Sequence, residues 1–408
     1  MIRNNSFLNG EIHNWYKINF GYSDQLVSIL LDYFQVKSTS RILDPFCGTG
    51  TTIIECMKWG VEAIGVDANP SSVFAAKVKT NWKINPTILQ NNLGKVLEER
   101  VKDIYIKSDE TYKYLIHSGM VARGWISLKP LLKAISIKIN IKNLLTTSDY
   151  KNALMLALIS EVVYNAANVK FGPELYCGPV KLDSDVHLGF KNRVETMAND
   201  LQVAKKILPI HSEIFQDDAR SLSCLSLNKK KFDFIITSPP YPSEHDYTRN
   251  SRLELAFLEK VTSRETLRQI KKGMIRSHTK GIYTEDDDSS FVSRFSSIKK
   301  LENKINKAAK DKTHGFARLY STVMKEYFGG MRRHLRSVHP HLKKGALCAY
   351  IVGDQSSYLR TQISTSKILS QIAKNEGFIE EETIHFRNRW SSSTSKFVRE
   401  NILVLRRV

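Results

Sequence analysis

Asp44-Pro45-Phe46-Cys47-Gly48-Thr49-Gly50-Thr51-Thr52 is the stretch on which the reading of this chain turns. It follows a short apolar run, Ser40-Arg41-Ile42-Leu43, that reads as a buried strand, and leads into Thr51-Thr52-Ile53-Ile54-Glu55-Cys56-Met57, which reads as a helix start. Strand, glycine loop and helix in that order make a unit of an open α/β sheet, and such loops lie where these sheets bind ligands. Glycines at 48 and 50 let the backbone turn sharply and come close to a ligand. The loop lacks the Gly-Lys-Ser/Thr ending of a phosphate-binding loop and the third glycine of a dinucleotide fingerprint, so a triphosphate and NAD are disfavoured. Asp44 suits a ligand with a cationic amino group better than one carrying phosphates.

The next segment, Val61-Glu62-Ala63-Ile64-Gly65-Val66-Asp67, predicts a second strand closing on an acid. Asp67 stands roughly twenty residues after the first glycine, the spacing at which a carboxylate accepts hydrogen bonds from ribose hydroxyls. A glycine loop alone reads as well as a bland tight turn. With Asp44 and Asp67 in register, a nucleoside cofactor is the better reading.

A second run, Thr237-Ser238-Pro239-Pro240-Tyr241-Pro242, follows another apolar stretch, Phe232-Asp233-Phe234-Ile235-Ile236. Two successive prolines stiffen the backbone, remove two N–H donors and leave their carbonyls free. Ser238 adds a hydroxyl and Tyr241 a flat aromatic face. An amino group on a planar heterocycle would find acceptors for its hydrogens and a ring to stack on. In isolation Pro-Pro-Tyr is more often a turn with a packing tyrosine. After a buried strand and downstream of the glycine loop, the chemical reading prevails.

Together the two runs resemble the cofactor and catalytic motifs of the S-adenosylmethionine-dependent amino-methyltransferases that act on cytosine N4 or adenine N6 of DNA, the cytosine-N4 members most of all. The resemblance implies a class I, Rossmann-like α/β sheet flanked by helices. It implies that Asp44, Pro45, Phe46, Gly48, Gly50 and Thr51 border the methionine part of S-adenosylmethionine and that Asp67 holds its ribose. Ile214-Phe215-Gln216-Asp217-Asp218-Ala219-Arg220 is similar to the motif in which an acid meets the adenine, with Asp218 the better match and Asp217 beside it. Asn19-Phe20-Gly21-Tyr22-Ser23 resembles the segment that closes over the methionine end, through Phe20 and Ser23. Ser238, Pro239, Pro240 and Tyr241 would form the catalytic turn. Ser243-Glu244-His245-Asp246-Tyr247-Thr248-Arg249, Phe386-Arg387-Asn388-Arg389 and the run from Glu400 to Leu405 are similar to passages of restriction–modification enzymes in this family.

The implied reaction is direct methyl transfer to an exocyclic nitrogen of a base rotated out of duplex DNA, with a cognate restriction endonuclease as a possible partner in the cell. Serine at 238, where adenine enzymes more often carry aspartate or asparagine, favours cytosine N4. Adenine N6 and an RNA base remain the alternatives. Methylation at carbon 5 of cytosine needs a cysteine nucleophile, and the turn has no thiol. The five cysteines are scattered without a Cys-x-x-Cys pair, so no zinc site or disulfide framework is expected, and Cys47 reads as a small filler.

Sixty-one Lys and Arg against 41 Asp and Glu give a net charge of +20, a field suited to a phosphate backbone. The short runs Lys229-Lys230-Lys231, Lys271-Lys272 and Arg332-Arg333 read as ordinary surface. No segment is apolar enough to span a membrane and Met1 to Ser6 do not open a signal peptide, so a cytoplasmic location is expected.

About 150 residues separate Asp67 from Asp218, far more than a crossover connection needs, so something is inserted. The expected organisation is a cofactor half at 1–95, a helical insertion at 96–211, the catalytic turn within 212–249, a second insertion at 250–321, and the end of the core at 322–408. Either insertion is a candidate for reading the target. Within the second, Ile298 to Ile305 predicts an amphipathic helix, and Asp286-Asp287-Asp288 reads as a solvated loop rather than a metal site. Ile402-Leu403-Val404-Leu405 predicts a final antiparallel strand.

Overall fold

Ile42 and Leu43 are both fully buried, yet they belong to different apolar clusters, because successive side chains of a strand point to opposite faces. The strand they form is therefore covered on both sides, as the central strand of an α/β sheet must be. The computed structural model describes residues 11–17, 21–171, 175–205, 207, 210–310, 312, 315–391 and 394–408.

The strands are β1 (Arg41–Asp44), β2 (Glu62–Asp67), β3 (Val169–Phe171), β4 (Leu175–Cys177), β5 (Ser212–Gln216), β6 (Phe232–Thr237), β7 (Leu342–Gly353), β8 (Phe378–Ser391) and β9 (Lys396–Arg407). Seven of them build one sheet in the order β5-β2-β1-β6-β7-β9-β8, while β3 and β4 form a separate hairpin. The pairings from β5 through β7 are parallel, and β9 runs antiparallel between β7 and β8. This strand order, with its single reversed strand, is that of the class I methyltransferase sheet. The chain leaves β1 toward one edge and returns at β6 to start the other half, so the crevice lies beyond the carboxyl ends of β1 and β6. Register places Leu43 beside Ile235, which brings the Asp44 loop and the Ser238 turn out at the same edge.

Gly50, at φ +88°, caps the helix Thr51–Lys58, whose Ile53 and Ile54 are fully buried. Its missing side chain matters for packing: a Cβ there would stand 3.2 Å from that of Ala76 in the helix Pro70–Thr80.

The boundaries read from sequence cut through elements. The helices Pro86–Glu98, Tyr247–Asn250 and Tyr320–Val338 straddle them. The first insertion is helical as expected, with the helices Leu128–Asn143, Ser148–Glu161 and Val186–Ala204. Their Leu131, Leu154 and Phe190 share one apolar cluster with Ile42, Ile53 and Val73, so the insertion is built into one face of the sheet. The second insertion packs on the other face through Ile275, Val292, Ile298, Leu301 and Ile305. The last three lie on the helix Ser296–Ala309, at the spacing the sequence predicted.

Asp286-Asp287-Asp288 departs from the expected solvated loop. Asp286 receives two hydrogen bonds from Arg276 at 2.8 and 2.6 Å, and Asp288 joins Arg220 to Arg333 at 2.7 Å each. Only Asp287 of the three is open to water. Three acids in a row look solvated in sequence, but two of them found arginines across the fold. Lys271 and Arg332 likewise are not free surface: they pair with Asp246 and Glu376.

Candidate active site

Thr237 ends β6 and donates from its hydroxyl to Asp44 at 2.6 Å, a contact that spans 193 residues and joins the two signature runs. Asp44 also accepts from the Tyr22 hydroxyl at 2.8 Å and the Phe46 N–H at 3.2 Å. Burial pushes its carboxyl up, and these three donors oppose that rise. Asp44 is fully buried, does not line the cavity described next, and braces the glycine loop against β6.

Beyond this brace lies a cavity of about 390 Å³. Pro45, Phe46, Gly48, Thr51, Asp67 and Asp218 line one part of it, and Ser238, Pro239, Pro240 and Tyr241 line another. Gly48 has φ +52° and open space where a Cβ would stand, so its backbone is bared to the cavity. Asp67 accepts from the N–H groups of Gly48 and Asn69 at 2.9 and 2.7 Å, one on each carboxylate oxygen. A lone pair remains on each, which suits two neighbouring hydroxyls. Burial pushes its carboxyl up to about 6, against the pull of those two N–H groups.

Asp218 is held in a fork by Arg220, with Nε at 3.0 Å from both oxygens and Nη2 at 2.6 Å from Oδ2. Next to it, the buried His334 bridges the Ala219 carbonyl and the Tyr350 hydroxyl, at 2.9 Å each, and meets the Phe46 ring edge-on at 4.8 Å. Burial brings this imidazole down to about 4, so it is neutral at pH 7.

The double-proline turn is held from outside itself. Its two prolines have no N–H, and the Tyr241 N–H donates to the Tyr247 hydroxyl at 3.1 Å. The Tyr241 hydroxyl donates to Glu400 at 2.7 Å, and Arg387 donates to the other oxygen of that carboxylate. Ser238 gives its hydroxyl proton to the Ile351 carbonyl at 3.2 Å, leaving its lone pairs as acceptors.

Four expected residues lie outside the wall. Ser23 caps the helix Asp24–Tyr33 by accepting from Leu26 at 3.2 Å, and Gly50 packs beneath the loop. Asp217 is spent on the turn after β5, accepting from Ser223 and from the Cys224 N–H at 2.8 and 2.7 Å. Asp44 is the fourth, and Phe20 lies outside the described residues. Cys47 does line the cavity, but burial, then Asp67 and Asp44, push its thiol well up, away from a nucleophilic thiolate.

The far wall comes from the second insertion, which the motifs did not reach. Lys271, Met274, Arg276 and His278 line it, facing His245 and Asp246. Burial brings the His278 ring down to about 4 despite Asp246, so it offers one donor and one acceptor nitrogen. Burial would raise the Asp246 carboxyl, but His278 and Lys271 outweigh it and hold the group at about 2.

Comparison with known proteins bears on this geometry. Residues 21–104 match the family described as RMKL-like, methyltransferase domain. The chain is similar over 98% of its length to the Type II methyltransferase M.BsoBI of Geobacillus stearothermophilus, at 25% identity and covering 85% of that protein. The chain is an S-adenosylmethionine-dependent methyltransferase. A second relative, the Type II methyltransferase M.AvaI of Nostoc sp., is 25% identical over 90% of this methyltransferase and 79% of its own length. A third, M.MvaI of Kocuria varians, is 26% identical over 62% of it and 59% of its own length. The family match ends at residue 104, so it covers the glycine loop and Asp67 and not the double-proline turn. No helix among the described residues is long and apolar enough to cross a membrane.

Proposed function

We propose that this methyltransferase modifies duplex DNA at a specific site, on the exocyclic N4 of a cytosine turned out of the helix, as the modification enzyme of a restriction–modification system. The observation that carries the reading is that Ser238, Pro239 and Tyr241 line the same cavity as Gly48 and Asp67. The similarity to Type II methyltransferases over nearly the whole chain supports it, as does the net charge of +20.

S-adenosylmethionine, when bound, supplies an electrophilic methyl group on a sulfonium sulfur. Asp67 has the free lone pairs to hold its ribose, and the wall from Pro45 to Thr51 offers uncharged contacts, among them the Phe46 ring. The exocyclic nitrogen of cytosine is a weak nucleophile, because its lone pair is delocalised into the ring. Ser238 Oγ and the Pro239 carbonyl would accept its hydrogens, favouring the pyramidal nitrogen of the transition state. Tyr241, fixed by Glu400, would present a ring for the extruded base, and fixed positions lower the entropic part of the barrier.

The test is incubation with deuterium-labelled S-adenosylmethionine followed by mass spectrometry of nucleosides from DNA and RNA. The expected product is N4-methyldeoxycytidine. Label in N6-methyldeoxyadenosine would overturn the choice of base, and label confined to RNA would overturn the DNA reading.

A further inference from the structure

Arg387 and Arg389 stand two residues apart on β8, and both line the cavity. Their pairings differ. Arg387 is spent on Glu400, whereas the buried Nε of Arg389 has no hydrogen-bond partner, and no carboxylate among the described residues pairs with its charge. Its guanidinium lies 5.9 Å from the centre of the Tyr241 ring. A cation left unpaired at the wall of a catalytic cavity is matched to an anion, and a phosphate is the anion that accompanies a nucleotide.

The other face of the same hairpin is built differently. Register pairs Arg387 with Glu400 and Arg389 with Val398, on the cavity side, so the alternate pair Trp390 with Phe397 points away from it. Trp390 is 55% exposed and Phe397 67%, their rings packed edge-to-face at 5.2 Å. Two large aromatics open to water at a hairpin tip cost free energy unless something covers them. Arg399 is exposed on the same face of β9, two residues from Phe397, so what covers the pair should be flat, apolar on its faces and anionic at its edges. Stacked bases in a phosphate backbone fit that description.

We propose that the β8–β9 hairpin tip is a finger that holds the DNA duplex open: Trp390 and Phe397 stack on the bases left behind, while Arg389 on the opposite face takes a phosphate of the nucleotide drawn into the cavity. The proposal rests on the reading of the protein as a DNA methyltransferase. The hairpin then stands between the extruded base and the helix it left, and the aromatic pair offsets the stacking lost on extrusion.

The experiment uses the full chain and two duplexes carrying its methylated site, one fully paired and one with the target base mispaired, which makes extrusion easier. In the Trp390→Ala, Phe397→Ala double variant, kcat/KM on the paired duplex should fall about 5- to 150-fold, from the ~1–3 kcal/mol that stacking on a base contributes. On the mispaired duplex it should recover to within about threefold of the wild type, because little unstacking remains to be offset. Arg389→Gln should raise KM for both duplexes while leaving S-adenosylmethionine affinity unchanged. A double variant that matches the wild type on the paired duplex, or loses equally on both, overturns the finger while leaving the DNA reading intact. A wild-type protein that methylates no DNA overturns that reading, and the finger with it.

Discussion

The two insertions interrupt the same core and were equally open as target readers in the sequence, but the fold uses them in opposite ways. The first, over 96–211, is spent on the interior: Leu131, Leu154, Leu158 and Phe190 are fully buried, and none of its described residues lines the cavity. Among its described residues, the Leu175 carbonyl reaches toward the mouth and accepts from Arg249 at 3.2 Å. The second, over 250–321, sets Lys271, Met274, Arg276 and His278 into the cavity wall. It is rich in charge, and pairing fixes several of those charges in place. An insertion that buries an apolar face thickens the core; one whose charges find partners across the fold can shape a site.

That contrast is broken most simply by exchanging the kind of damage. Leu154→Ala in the first insertion should lower stability by about 2–5 kcal/mol, the usual range for a fully buried leucine. At temperatures well below its melt, its kcat/KM should match the wild type, and calorimetry with a transfer assay on the same sample checks both halves. A large rate defect in the folded variant would remove the division of labour.

Arg276→Ala in the second insertion should do the reverse. The guanidinium is nearly buried, holds Asp286, and donates to the carbonyls of Lys271 and Met274 at 2.7 and 2.6 Å. Its loss lets the wall from Lys271 to His278 shift, and a displacement of even an ångström beside a reacting group costs about 100-fold in rate. S-adenosylmethionine affinity, read by titration calorimetry, should change less than twofold. An equal loss in cofactor binding and transfer would show that the wall serves the cofactor half as well.

A third prediction concerns the part of the cavity that neither insertion touches. The unfolded chain releases the Asp67 proton near the ordinary carboxylate value of 3.8, and burial in the folded protein pushes it up to about 6. Between those values the folded form holds the extra proton, so this group's contribution to stability falls as pH rises. Ribose hydroxyls need the carboxylate as acceptor, so cofactor affinity should rise over the same interval and weaken by up to about tenfold per pH unit below 6. Affinity unchanged from pH 5 to 7 would argue against Asp67 as the ribose acceptor.

The smallest effect is expected at the tether. Tyr241→Phe keeps the ring and removes only the hydrogen bond to Glu400, a loss of about 1 kcal/mol or about fivefold in transfer rate. A defect of 100-fold would mean that the hydroxyl acts on the substrate rather than on the ring's position.

What the sequence made legible were the places where local backbone chemistry is unusual. Glycines at 48 and 50 and the prolines at 239 and 240 dictate their turns whatever surrounds them, and the apolar runs before them could only be strands. The cavity follows from those two edges once β1 and β6 are neighbours. Less legible was the destination of a charge. Asp44 is braced by Thr237 from 193 residues away, and Asp288, which looked solvated, is clamped between Arg220 and Arg333. Glu400 sits 159 residues from the tyrosine it holds, and His334 lies 115 from the carbonyl it meets. Partners that far apart are chosen by packing, and no local pattern announces them.

The central claim, that methyl donor and target base share one cavity, is tested most directly by a crystal structure with S-adenosylhomocysteine and a duplex carrying the methylated site. The account predicts the product against Gly48 and Asp67, with the extruded base on Tyr241 and its exocyclic nitrogen facing the sulfur across the space of one methyl group. A base that remains stacked in the helix, or that binds in a different pocket from the product, would contradict it.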